Sequence, residues 1–127
     1  MKILVLVSRL LLGLIFTIFG LNGFLQFMNM PQPQGLAGQY MTVLYTSHYL
    51  AAVCALETIG GLLLLVNRYV PLALTVLAPI IFNIVLYHAL MAPQAGGAAV
   101  VAVALWAVLF YRERPAFAGL FSRKGVS

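Results

Sequence analysis

Six polar residues fall inside long apolar runs: Arg9, Asn22, His48, Glu57, Asn83 and His88. An ionisable group in hydrocarbon costs about 2.5–3.5 kcal/mol or more, so each demands a reason. Arg9 and Glu57 carry opposite charge and can form a structural ion pair between two helices, or a pair that handles a proton or polarises a ligand. In the neutral form His48 and His88 can each donate to a quinone carbonyl or accept from a quinol. Two histidines on separate helices at matched depth also suit haem ligation, but nothing else in the sequence asks for haem. Cys54 lies among Ala and Leu and reads as a small packing residue.

These groups depend on helices for their positions. Counting about 1.5 Å per residue from the basic end of each segment places Arg9 roughly 9 Å in, Glu57 roughly 15 Å and Asn83 roughly 20 Å. Asn22, His48 and His88 fall at roughly 27–28 Å, near the opposite interface. His48 and Glu57, nine residues apart, point to opposite helix faces at about 100° per residue. Asn83 and His88 are about 140° apart by the same count. The polar residues are therefore expected to serve at least two neighbourhoods.

The chain has 127 residues, of which 64% are hydrophobic and 7% charged. A soluble domain is about 25% charged, so a water-soluble fold is excluded, and so is a disordered one. An all-α integral membrane protein is expected, with four spans in one domain. The expected helices cover residues 3–27, 41–67, 70–91 and 95–111, followed by a basic tail over residues 112–127. A span of about 20 residues leaves no room for a second domain. The first segment is longer than a signal-peptide core and no A-x-A site follows it, so it is expected to stay as a helix. Pro71 suits a first helical turn, and Pro79 is expected to kink the third helix. The tail alternates basic residues with Phe117, Leu120 and Phe121, as a segment lying on the inner surface does.

The net charge of +5 comes from basic residues at the ends of apolar runs. They read as topology signals that touch anionic headgroups, and nucleic acid is not an expected partner. Lys2, Arg68 and the tail share one side of a four-span chain, which places both termini in the cytoplasm. Gly13, Gly20 and Gly23, with Gly60 and Gly61, mark faces for close helix packing. One cysteine excludes an internal disulfide and dithiol chemistry. No metal-ligand cluster, phosphate loop or nucleophilic triad is present.

The run from Arg9 through Gly13, Phe16, Phe19, Gly20 and Asn22 to Gly23 resembles the first helix of the DoxX family. The stretch from Glu57 through Gly60, Gly61, Asn67 and Arg68 to Pro71 resembles its second helix and turn, and Pro79 through Asn83 to His88 its third. The likeness covers nearly the whole chain. It implies a small four-helix bundle in the bacterial inner membrane, with Arg9, Glu57, Asn83 and His88 as family-like polar positions. It also implies a quinone-linked redox subunit or accessory, with a bound quinone and a redox partner protein or a second copy of the chain. Two other readings stand beside it. One is a non-enzymatic bundle that binds a lipophilic small molecule or a partner membrane protein. The other is a proton-coupled transporter resting on Glu57 alone.

Overall fold

In hydrocarbon every backbone N–H and C=O needs a partner within the chain, so apolar runs of this length become helices. The computed structural model describes residues 2–25, 33–93, 96–121, 123 and 125, and no strand occurs among them. Five α-helices follow in order: α1 (Lys2–Leu25), α2 (Gly35–Thr46), α3 (Tyr49–Val66), α4 (Val70–Leu90) and α5 (Gly97–Arg112). A 3-10 helix, Arg114–Phe121, closes the chain. Three helices, α1, α3 and α4, are long and apolar enough to cross a membrane. The 16 residues of α5 extend about 24 Å.

Helix α1 packs on α3 and α5, and α4 packs on the same two. The α1–α3 seam is the tightest. A Cβ on Gly13 would sit 2.9 Å from the Gly61 carbonyl oxygen, and one on Gly20 would sit 2.8 Å from that of Cys54. The glycine faces expected from the sequence thus meet, and the pairing of Gly13 with Gly61 and of Gly20 with Cys54 makes the two helices antiparallel. On the other side of α3, Gly60 lies under Leu77 of α4. Trp106 Nε1 donates to the Leu74 carbonyl at 3.0 Å, tying α5 to α4. Leu12, Leu64, Leu74, Leu77 and Leu109 fill the centre. Exposed Leu, Ile, Val and Phe cover the outside, as a lipid-solvated surface requires.

The turn between α3 and α4 explains its own sequence. Asn67 adopts φ 57°. The Arg68 N–H reaches the Leu63 carbonyl and the Asn67 N–H reaches that of Leu64. This is a Schellman closure with Asn in the left-handed position that Gly usually takes. Pro71 then occupies the first turn of α4, and the helix continues through Pro79.

Two boundaries differ from expectation. The helix expected over residues 41–67 is two helices, broken at Ser47 and His48, and the loop expected over residues 28–40 is helical from Gly35 onward. The Ser47 hydroxyl accepts from the Tyr49 N–H at 3.3 Å, a local bond that competes with helix continuation. The remainder of that loop lies outside the described residues, save Pro33 and Gln34. In the tail, Phe117 is buried against Phe110.

Candidate functional site

Arg9 is half-buried on α1, and its Nη1 donates to the carbonyls of Leu64 and, at 3.2 Å, Leu65. These belong to the last turn of α3, where the Leu64 carbonyl also accepts from the Asn67 N–H and the negative end of the helix dipole attracts a cation. The Arg9–Glu57 pair that the sequence left possible is absent among the described residues. Register explains why. Thr58 packs at Gly20, eleven residues from Arg9, so Glu57 lies about 16 Å farther along the seam.

Glu57 is half-buried in the middle of α3. It lies one turn from both Gly60, which faces α4, and Gly61, which faces α1. Its carboxylate has no ion pair or hydrogen bond among the described residues. Asn83 is exposed on α4, and its Nδ2 donates to the Pro79 carbonyl at 2.9 Å. His88 is half-buried near the end of the same helix. Its Nδ1 lies 2.9 Å from the Ile84 carbonyl, which can only accept, so Nδ1 is the donor. Tyr87 meets the His88 ring edge-on and also packs against Tyr40 of α2.

His48 occupies the break between α2 and α3 with φ 64° and ψ 10°, the left-handed region. Its imidazole lines a notch of about 230 Å³ with Gly23, Phe24, Tyr45, Leu50 and Ala51. Its lining is mostly apolar, with His48 and Tyr45 as the two residues that carry polar side chains. Asn22, half-buried on α1, precedes Gly23 at its wall. His88 does not line it, so the two histidines are not gathered around one space. No group of three or more His, Cys, Asp or Glu able to hold a metal occurs among the described residues.

The six polar residues singled out by sequence therefore separate. Arg9 closes α3, Asn83 and His88 bond within α4, Glu57 makes no hydrogen bond or ion pair among the described residues, Asn22 lies on α1, and His48 lines the notch. Tyr45 lines the notch and is not among the six residues singled out by sequence. Its signal was present in the run Tyr45-Thr46-Ser47-His48, a polar cluster inside an apolar window.

A second hollow, of about 490 Å³, lies at the opposite end of the bundle, where Lys2, Arg9 and Arg112 converge with Asn67 and Glu113. Neither a protein-family model, nor a curated protein, nor a solved structure matches this chain.

Proposed function

We propose that this chain is a four-span, DoxX-like protein of the bacterial inner membrane that binds a quinone as the accessory subunit of a redox enzyme. Both termini lie in the cytoplasm in this reading, because Lys2, Arg68 and Arg112 mark one end and no Lys or Arg lies between residues 10 and 67 or between 69 and 111. The notch then opens at the outer interface. The observation that carries the reading is the notch itself, with His48 and Tyr45 beside Phe24 and Leu50. Aromatic and aliphatic walls with a few polar groups make a site for a lipophilic ring bearing hydrogen-bonding oxygens. His48 and Tyr45 would hold those oxygens, and Phe24 and Leu50 would pack on the ring. A bound quinone would supply two-electron redox chemistry, and the protein's part is to orient it at the membrane surface.

The test is organic extraction of the detergent-purified protein, followed by titration with a short-chain quinone. Quinone should co-extract with the wild-type protein. Tyr45→Phe and His48→Gly should each weaken binding about 2- to 10-fold, the loss of one hydrogen bond. No quinone in the extract together with no binding of the analogue would sink the proposal. Equal binding by both variants would move the site elsewhere. A different lipophilic molecule in the extract would favour the non-enzymatic binding role.

A further inference from the structure

The hollow at the basic end is unlike the rest of the surface. Two elements bring three cationic residues to its lining: Lys2 and Arg9 from α1 and Arg112 from the end of α5. Glu113 is the one carboxylate in its lining, and Asn67 adds a carboxamide from the α3–α4 turn. Lys2 and Arg112 are exposed and form no ion pair among the described residues. Arg9 is anchored through Nη1 to the end of α3, which holds the remaining guanidinium donors in place without neutralising them. Positive charge thus exceeds negative in a concave space whose geometry is set by three helix ends.

The walls between these charges are apolar: Val5, Val70 and Leu109 line the hollow, and so does Leu6. Leu6 is exposed and begins a stripe down α1 that continues through exposed Leu10 and Leu14. A ligand filling the hollow meets cations at one end and a lipid-facing hydrocarbon track at the other. A small soluble anion uses only the first. We propose that the hollow binds the headgroup phosphate of an anionic phospholipid, with an acyl chain lying along the Leu6, Leu10 and Leu14 stripe. This rests on the chain being embedded in a membrane and is independent of the quinone notch, which lies at the other end of the bundle.

The experiment is native mass spectrometry of the full chain, released from micelles doped with phosphatidylglycerol or with phosphatidylcholine of the same chain length. Two double variants remove equal charge: Lys2→Gln with Arg112→Gln inside the hollow, and Arg68→Gln with Arg123→Gln outside it. Arg9 is left intact because it closes α3. Wild-type protein should retain phosphatidylglycerol at least tenfold better than phosphatidylcholine. The inside variant should lose about tenfold or more of that retention, at about 1 kcal/mol per basic residue near an anionic surface. The outside variant should stay within about twofold, since its charges are solvated and screened. Equal losses in the two variants would show diffuse surface attraction and overturn the site. Displacement of the lipid by inorganic phosphate at comparable concentration would overturn the lipid assignment. Helix content by circular dichroism confirms that every variant compared is folded.

Discussion

Substitution of Gly61 tests the seam that positions everything else. A Cβ at Gly61 would lie 2.6 Å from the Thr17 backbone nitrogen and 2.7 Å from the Gly13 carbonyl oxygen. Both obstacles are main chain and cannot rotate away. Relief to an ordinary contact of about 3.5 Å requires the seam to open by nearly 1 Å. A radial gap of that size forfeits a quarter to a half of the dispersion energy of facing atoms. Overpacking of this kind costs about 1–3 kcal/mol, against which Ala gains up to about 1 kcal/mol in helix propensity over Gly. Gly61→Ala is therefore expected to destabilise the bundle by about 1–2 kcal/mol. Gly97→Ala, where the added carbon meets nothing within 4 Å, is expected to be neutral or stabilising by up to about 1 kcal/mol. Unfolding in mixed micelles with increasing dodecyl sulfate, followed by circular dichroism, compares the two. The single tryptophan, Trp106, reports the α4–α5 contact separately. If Gly61→Ala proves as stable as Gly97→Ala, the close approach of α1 and α3 is wrong, and with it the register that separates Arg9 from Glu57.

Three further predictions use the same assay. Arg9→Leu should cost about 1–3 kcal/mol by stripping the α3 carbonyls of a donor, and Arg9→Lys should cost less. The double swap Arg9→Glu with Glu57→Arg should not recover stability; recovery would restore the ion pair that the geometry denies. Glu57→Leu should leave stability unchanged or raise it by about 1–3 kcal/mol, because a half-buried carboxylate without a partner is removed. A loss above about 1 kcal/mol would reveal a structural partner for Glu57.

The parts of the fold legible in sequence are those where local chemistry and the bilayer agree. The extents of α1 and α4 follow from uninterrupted hydrophobicity, and the Asn67-to-Pro71 turn from residues suited to a helix stop and start. The Gly13, Gly20 and Gly23 face was legible because small residues at helical spacing have few other uses in a membrane. The break at Ser47 and His48 was hidden because the hydropathy window runs across it. The partner of Arg9 was hidden for a different reason: it is backbone, and a main-chain carbonyl leaves no mark on a sequence. Pairing charges by depth therefore favoured Glu57, whereas the carbonyls at the end of α3 were available to any donor at that level. Asn83 is similar, since it bonds to the carbonyl one turn behind it and not to another helix.

His48 separates stability from function more cleanly than any other position. Among the described residues three non-glycine positions take positive φ: His48, Asn67 and Tyr69. Asn67 belongs to a hydrogen-bonded Schellman closure, and Tyr69 accepts from the Ala73 N–H at the start of α4. His48 likewise closes a helix, its N–H donating to the Tyr45 carbonyl at 3.2 Å at the end of α2, but its side chain makes no cap hydrogen bond to α3. A non-glycine residue held in this region costs of order 1–3 kcal/mol, although His tolerates it better than most. Glycine adopts the same φ and ψ with no Cβ clash. If the break at residue 48 serves only to turn the chain, His48→Gly is an improvement without loss. If it serves to present an imidazole to the notch, His48→Gly should raise stability by up to about 1 kcal/mol while weakening quinone binding. Opposite movement of the two readouts identifies a residue kept for its ring. A fall in stability with binding intact would show that the imidazole packs and does not recognise.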